Sequence, residues 1–202
     1  KTSIIVLQFN HSNHTLTCLE ALRAFDAQVI VVDNASEVRH VKNVEFWIES
    51  RKMSNYELLM SNENLGYSGG NNLGIKKALA DGAERILILN NDVILGPDFL
   101  SDVTRYTLHA DVVGVERGHA FGFSYVSGAV MLIKRRVFEK IGLLDERYFL
   151  YYEDVDFCVR AEKAGFTLGL SKTKFRHAVS ATTSTIGSAN LLYYHTRNAL
   201  LL

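Results

Sequence analysis

The chain has 202 residues, a length that predicts a single domain. Apolar residues make up 48% of the chain, which is enough for a sizeable core and excludes a disordered composition. Its 22 basic and 22 acidic side chains balance, so a general polyanion binder is disfavoured and we expect no nucleic-acid partner.

Strand-length apolar runs alternate with helix-length segments through residue 108. The predicted strands are residues 3–7, 28–32, 56–60 and 85–89, and the predicted helices are residues 16–25, residues 71–80 and a segment running from Pro97 toward Leu108. This alternation is typical of right-handed βαβ units. We therefore expect an α/β fold with a mostly parallel central sheet flanked by helices.

The second half of the chain departs from this regular alternation of strands and helices. Its predicted strands are residues 129–133, 167–170 and 175–179, and its predicted helices are residues 136–141, residues 153–164 and a segment from about residue 189. We expect the chain to continue beyond Leu202, because it stops inside an apolar stretch. Neither a membrane-spanning run nor a secretory leader is expected, and the two cysteines, which lack CxxC spacing, favour a reducing compartment.

Polar residues follow the predicted strands, at the edge where parallel sheets bind ligands. They are Gln8 and Asn10, Asp33, Asn64, and Asn90, Asn91 and Asp92. Asp33 could accept hydrogen bonds from a nucleoside, or it could form a turn that caps the next helix. Asn90-Asn91-Asp92 offers hard oxygen ligands for Mg²⁺ or Mn²⁺, but it is also a common turn sequence.

The segment 64–74 is rich in glycine and leads into a helix. A loop with bare N–H groups at Gly69, Gly70 and Asn71 would suit a diphosphate or a sugar hydroxyl, or it could merely need positive φ angles. It is not a dinucleotide-binding fingerprint, because that motif follows the first strand, where residues 8–12 contain no glycine. A P-loop sequence is also absent.

Three carboxylates, Glu153, Asp154 and Asp156, stand where a predicted helix begins. They could simply complement the helix dipole, with Asp156 paired to Arg160. Alternatively, the preceding aromatic run could desolvate an acid and raise its pKa toward the range of a general base. His177 becomes a candidate metal ligand only if the fold brings it to Asp92, which its spacing does not decide.

Taken together, these segments resemble the family 2 glycosyltransferases of the GT-A fold, in the branch of rhamnosyltransferase-like and galactofuranosyltransferase-like enzymes. The resemblance covers almost the whole chain. It rests on residues 32–36, 64–72, 89–92, 127–129, 142–149, 153–156 and 197–198, which follow one another in the family's order.

The resemblance implies a single GT-A catalytic domain over 1–202, with a nucleotide-sugar-binding half (1–108) and an acceptor-side half (109–202). The implied activity is inverting transfer of a sugar from a dTDP- or UDP-sugar to a hydroxyl of a glycan or lipid-linked acceptor. Such reactions build bacterial or archaeal cell-surface polysaccharides. We expect the protein in the cytoplasm, at the inner face of the membrane, with peripheral association through a part beyond residue 202.

The resemblance also implies residue roles. Asp154 matches the general base, a role that Glu153 could share, and Asp92 matches the retained ligand of a divalent cation, Mg²⁺ or Mn²⁺. Asn90 stands where many members carry another Asp, and His177 matches a histidine that ligates the metal in some members. The implied donor-binding residues are Gln8, Asn10, Asp33, Asn64, Gly69, Gly70, Asn71 and Asn91.

Two departures keep alternatives open. The stretch between Leu108 and Ser127 is short and glycine-rich, as if a flexible acceptor-side loop were missing. Asn90 leaves the metal site with less charge, which motivates a non-catalytic module that binds a nucleotide sugar or a glycan. A sugar-nucleotide pyrophosphorylase is a further alternative, but its basic glycine-rich loop should follow the first strand, where residues 10–14 read Asn-His-Ser-Asn-His.

Overall fold

The computed structural model describes residues 1–173, 175–177 and 187–202. Its strands are β1 (Thr2–Gln8), β2 (Gln28–Asp33), β3 (Tyr56–Met60), β4 (Arg85–Asn90), β5 (Val93–Leu95), β6 (Val112–Gly114), β7 (Arg117–Ala120), β8 (Phe123–Val126), β9 (Val130–Lys134), β10 (Leu168–Leu170) and β11 (Phe175–His177). Its helices are α1 (Ser12–Leu22), α2 (Val38–Ser50), α3 (Gly66–Ala80), α4 (Phe99–Tyr106), α5 (Arg135–Ile141), α6 (Glu153–Lys163) and α7 (Ser188–Ala199).

The main sheet has the strand order β10-β6-β9-β4-β1-β2-β3. β1 pairs in parallel with both β2 and β4, and β9 runs antiparallel between β4 and β6. Gln8 lies opposite Asp33, and Leu7 lies opposite Asn90, so the carboxyl ends of three central strands meet at one edge. The expected mostly parallel central sheet is confirmed.

Helices cover both faces of this sheet because the central strands are apolar on both sides. Successive β1 residues point to opposite faces, so Ile4 joins the core with Leu19 of α1, while Ile5 joins the core with Ile75 of α3 and Phe157 of α6. Each is fully buried, and such a side chain contributes roughly 1.5–3 kcal/mol relative to full exposure. Within the described ranges, no helix combines the length and apolarity that a membrane span needs.

The structure corrects several predicted elements. α3 begins at Gly66 rather than at residue 71, so the expected glycine-rich loop is helical. α2, in which only Val44 and Trp47 are buried, is not among the predicted helices. The glycine-rich stretch before Ser127 contains β6 and the β7–β8 hairpin. The strand expected over 175–179 is observed as β11, and residues 178 and 179 lie outside the described part of the chain.

Candidate active site

Gln8 and Asp33 form a buried pair at the edge of the sheet. Nε2 of Gln8 donates to Oδ2 of Asp33 at 2.7 Å, and the backbone N–H of Ser36 donates to Oδ1 of Asp33 at 2.8 Å. Asp33 is only 1% exposed. The bond from Ser36 forms a turn after β2, but the side chain of Asp33 does not cap α2, and its contact with a nucleoside stays a prediction.

Asn10 holds the neighbouring loop. Its backbone N–H donates to Oγ of Ser36 at 2.7 Å, and its Oδ1 accepts from the backbone N–H of Glu37 at 2.9 Å. The backbone of Asn10 has φ 54°, a left-handed conformation that Asn adopts more readily than most residues. Asn10 therefore helps to shape the loop that follows β1 at the carboxyl edge of the sheet. Its contact with the donor stays a prediction.

Asn34 joins β2 to α3, a role that the sequence analysis missed. Its Nδ2 donates to Oδ1 of Asn64 at 2.9 Å and to the carbonyl of Gly66 at 3.0 Å, while its Oδ1 accepts from the N–H of Leu65 at 2.9 Å. Oδ1 of Asn64 also accepts from the N–H of Gly66. The sequence signal was present, because Asn34 follows Asp33 at a strand end.

The glycines of α3 allow the helix to lie close against the sheet. A Cβ atom on Gly70 would lie 2.5 Å from Cδ1 of Leu7 in β1, whereas one on Gly69 would lie 2.8 Å from Cβ of Leu65, at the start of α3 itself. Asn71 is fully buried, and its Nδ2 donates to the carbonyl of Tyr67 at 2.9 Å. The structure gives these residues a packing function, and their predicted contact with the donor stays untested.

The polar residues at the end of β4 and directly after it have different contacts. The N–H of Asn90 donates to the carbonyl of Ala129 at 2.9 Å, and Nδ2 of Asn91 donates to Oγ1 of Thr15 in α1 at 2.9 Å. Asp92 follows, partly buried, and leads into β5. β11 pairs with β5 so that His177 lies opposite Val93, the residue after Asp92. The fold thus brings the backbone of His177 beside Asp92, and its side chain lies outside the described part of the chain.

Asp154 is held at the start of α6 by two backbone groups. The N–H of Gly128 donates to its Oδ2 at 3.0 Å, and the N–H of Val155 donates to its Oδ1 at 2.9 Å. Gly128 precedes Ala129, which accepts from Asn90. This chain of contacts places the predicted base next to the segment that carries the predicted metal ligand.

Tyr67 also contacts Gly128, and no sequence pattern predicts a role for it. Its hydroxyl donates to the carbonyl of Gly128 at 2.7 Å. Burial raises the pKa of Tyr67 well above its usual value, and the negative charges of Glu153, Asp154 and Asp92 raise it further. Tyr67 therefore places a desolvated phenol in a negatively charged part of the predicted site.

Glu153 is the more deeply buried of the two candidate bases, with 6% of its surface exposed. Within the part of the chain that the structure describes, its Oε2 has no hydrogen-bond partner. Burial raises the pKa of Glu153 well above its usual range, and the charge of Asp154 adds to the effect. Burial also raises the pKa of Asp154, against the opposing N–H groups of Gly128 and Val155. Glu153 is thus buried and Asp154 half-buried, as the desolvation alternative requires, and their roles as bases stay predictions.

The remaining acid of this helix has a structural partner. Oδ2 of Asp156 accepts from Nε of Arg160 at 2.7 Å, and this guanidinium also donates to the carbonyls of Ile141 and Leu143. The predicted ion pair four residues apart is confirmed. Asp156 thus belongs to the support of α6.

Asn198 fixes the turn that precedes Glu153. Its side chain is fully buried, and its Nδ2 donates to the carbonyls of Leu150 and Tyr151, both at 2.7 Å. Tyr151 and Tyr152 have φ angles of 69° and 71°. A left-handed conformation is costly for such residues, so the contacts from α7 hold a strained turn in place.

The oxygen ligands available for a divalent cation are few. Across residues 1–173, 175–177 and 187–202, no three His, Cys, Asp or Glu side chains form a group that could hold a metal ion. Asp92 and Asn90 supply a carboxylate and an amide, both of the hard oxygen type that Mg²⁺ and Mn²⁺ prefer. This set fits a cation that takes most of its ligands from water and a bound diphosphate.

A search of solved structures defines the class of protein. The chain superposes on the mannosyltransferase PcManGT from Pyrobaculum calidifontis, solved in complex with GDP-Man and Mn²⁺, with a TM-score of 0.79. The two are 17% identical, and the alignment covers 100% of this chain and 64% of the other. The sheet, its helical layers and this likeness define a GT-A glycosyltransferase fold, as expected.

Sequence comparison then gives the family. Residues 3–166 match the sequence model of Glycosyl transferase family 2, and the chain belongs to this family. It is 26% identical over 204 residues to the low-salt glycan biosynthesis hexosyltransferase Agl10 of Haloferax volcanii, covering 83% of this chain and 63% of that protein. It is 23% identical over 237 residues to the dTDP-rhamnosyl transferase RfbF of Shigella flexneri, covering 98% and 78%. These relatives fit the rhamnosyltransferase-like branch.

Proposed function

We propose that this chain is the catalytic domain of an inverting glycosyltransferase that acts in the synthesis of a surface glycan. The donor would be a nucleotide-diphosphate sugar, with dTDP-rhamnose suggested by the name of the Shigella relative. The acceptor would be a hydroxyl of a glycan or lipid-linked sugar at the cytoplasmic face of the membrane. Because the chain spans 63% of the Haloferax relative, the activity of the whole protein belongs to this proposal.

The observation that carries this proposal is the placement of Asp154. It is partly exposed, it is oriented by the N–H groups of Gly128 and Val155, and it lies beside the end of β4. A carboxylate has about four acceptor sites, so these two bonds leave each oxygen able to take a proton. Burial raises its pKa in the direction that a general base near neutral pH requires.

Inversion needs a single in-line displacement. The acceptor oxygen forms a bond to the anomeric carbon, the bond from that carbon to the diphosphate oxygen breaks, and Asp154 takes the proton of the attacking hydroxyl. Glu153 is buried next to Asp154 in the chain, and Tyr67 binds the carbonyl of Gly128, whose N–H binds Asp154. No covalent sugar–enzyme intermediate is needed.

Asp92 and Asn90 would hold a divalent cation, assisted by His177. Such an ion supplies neutralisation of the charge that develops on the leaving diphosphate. The residues at the ends of β1 and β2, with those of α3, would hold the nucleotide. Because the amide of Asn90 is neutral where a carboxylate would be charged, more of the ion's ligands would come from the bound diphosphate.

The Asp154→Asn variant tests this function. It keeps the shape of the side chain but cannot accept the proton, so we expect single-turnover transfer to fall about 10²–10⁴-fold. Affinity for the nucleotide sugar should stay nearly unchanged, because the lost interaction forms only in the transition state. The anomeric configuration of the product, read by NMR, reports whether transfer inverts.

Asp156→Asn is the matched control, because Asp156 lies two residues away and pairs with Arg160. It should lower thermal stability and leave the transfer rate of the folded protein close to that of the wild type. Transfer at the wild-type rate by Asp154→Asn would place the base elsewhere. A wild-type protein that binds the donor but transfers to no acceptor would favour a binding module.

A further inference from the structure

A cluster of aromatic rings lies beside the proposed base and takes no part in the proposed transfer step. The ring of Phe121 lies 5.6 Å from that of Tyr152, and His195 stacks on Tyr151 at 4.6 Å and meets Tyr152 edge-on at 5.5 Å. These four side chains, which we call the aromatic platform, come from the β7–β8 hairpin, the turn before α6, and α7. The Tyr152 and Asp154 positions are two residues apart.

Phe121 occupies a position that folding alone does not explain. Phe121 and Gly122 form the two-residue loop of the hairpin, and their φ angles are 50° and 82°. A hairpin loop with two positive φ angles favours Asn-Gly, and a bulky residue there is strained. The side chain is 58% exposed, so burial in the core does not offset that strain. Strain of this kind is often found where a residue contacts a ligand.

The hairpin is fixed against the proposed site. β8 packs against α6, where Sγ of Cys158 lies 3.9 Å from the carbonyl of Val126. Gly128, which binds Asp154, follows two residues after β8. A ligand resting on the rings of Phe121 and Tyr152 would therefore lie next to the carboxylate that is proposed to take a proton.

The platform combines apolar rings with polar edge atoms. The Tyr152 hydroxyl and Nδ1 of His195 lie 3.5 Å apart at its edge. A pyranose ring has the matching character, with C–H groups on one face and hydroxyls at its rim. Aromatic side chains with a polar end suit such a ligand, which is partly apolar and partly hydrated.

We propose that the aromatic platform binds the acceptor sugar as a pyranoside and presents its hydroxyl to Asp154. This inference rests on the proposed function and adds the chemical class and the location of the acceptor. Phe121 would act as a positioning residue for the acceptor, outside the donor site.

The test measures binding of simple sugars by saturation-transfer NMR. The probes are methyl α-L-rhamnopyranoside, methyl β-D-galactopyranoside and methyl α-D-mannopyranoside, each with and without dTDP, UDP and Mn²⁺. Sorbitol is the control ligand, because it has the hydroxyls but no ring face. We expect at least one pyranoside to bind, and the Phe121→Ala variant to weaken it about tenfold. Phe46→Ala is the matched control, because Phe46 is 71% exposed on the distant helix α2.

The Phe121→Asn variant separates folding from binding. Asn tolerates the left-handed conformation, so this variant should melt at or above the wild-type temperature while it loses pyranoside binding. Wild-type binding in a stable Phe121→Asn protein would overturn the proposal. So would a wild-type protein that binds none of the pyranosides, or that binds sorbitol as well as it binds them.

Release of the nucleoside diphosphate without acceptor keeps the two proposals distinguishable. Donor turnover without pyranoside binding would contradict the acceptor role of the aromatic platform and support the glycosyltransferase activity. Pyranoside binding at Phe121 without donor binding or turnover would contradict the glycosyltransferase activity and support a sugar-binding site.

Discussion

Tyr67 and Asp154 bind opposite sides of the same residue. The hydroxyl of Tyr67 donates to the carbonyl of Gly128, and the N–H of Gly128 donates to Asp154. A Cβ atom on Gly128 would lie 3.1 Å from the Tyr67 hydroxyl and 3.5 Å from Cβ of Asp154, so there is little room for a larger residue. The first turn of α3 thereby sets the position of the first turn of α6.

The Tyr67→Phe variant should loosen this connection. Loss of the bond to Gly128 should lower the free energy of unfolding by about 1 kcal/mol. The value of kcat should fall several-fold because Asp154 is held less firmly, while donor affinity stays unchanged. Stopped-flow transfer and donor titration check this. Tyr193→Phe, at an exposed tyrosine of α7, is the control, and equal kcat values in the two variants would contradict the coupling.

The Asn90→Asp variant should bind Mn²⁺ more tightly, because a carboxylate is a stronger ligand than an amide for a hard cation. Asp92→Ala should remove metal-dependent donor binding and retain the fold, since Asp92 lies at a strand end. Thermal shifts with donor, with and without Mn²⁺, measure both effects. An unchanged Mn²⁺ affinity in Asn90→Asp would leave Asn90 as a turn residue only.

The Glu153→Gln variant should change how stability depends on pH. Burial raises the pKa of Glu153 well above its usual 4.5, so the folded protein keeps a proton that the unfolded chain releases. Stability is therefore lost as pH rises from the unfolded pKa toward the folded one. Glutamine has no proton to lose, so the variant should be more stable than the wild type at pH 8.

Urea unfolding at pH 5, 6, 7 and 8, without added metal, checks this expectation. The stability difference between Glu153→Gln and the wild type should grow with pH. A constant difference across the series would mean that Glu153 titrates at its ordinary pKa in the folded protein.

The Gly70→Ala variant should destabilise the protein by about 1–3 kcal/mol, because its Cβ would lie 2.5 Å from Cδ1 of Leu7. Leu7→Ala removes that contact. In a double-mutant cycle, the cost of Gly70→Ala should therefore shrink in the Leu7→Ala background. Additive costs, measured by chemical unfolding, would show that helix–sheet packing does not require Gly70.

Local patterns in the sequence predict the strands and the site edge better than the helices. β2 and β4 are uninterrupted apolar runs, and the rule that ligands lie beyond parallel strands identifies Asp33 and Asp92 as site candidates. α2 is not predicted because only two of its residues, Val44 and Trp47, are buried, and they do not form a clear apolar stripe. The first turn of α3 is not predicted because glycine disfavours the helical conformation. In the folded protein, contacts with β1 override that preference.

The partners of the site residues are harder to predict, because they come from distant parts of the chain. Gly128 is 26 residues from Asp154 and 61 from Tyr67. A hydrogen bond of this kind leaves no periodic signal in the sequence. Asp156 and Arg160, which are four residues apart on one helix, form the one site-region ion pair that spacing alone predicts.

The contacts of Asn198 have a consequence for hybrid proteins that are made by exchanging segments between related chains. A hybrid whose crossover lies between Arg160 and Gly187 would take the turn before Glu153 from one parent and the side chain that holds it from the other. Such hybrids should fold and bind donor, yet lose transfer unless the parent that supplies the last helix carries an asparagine that reaches the carbonyls of Leu150 and Tyr151. A hybrid should therefore take α7 and the turn before Glu153 from the same parent.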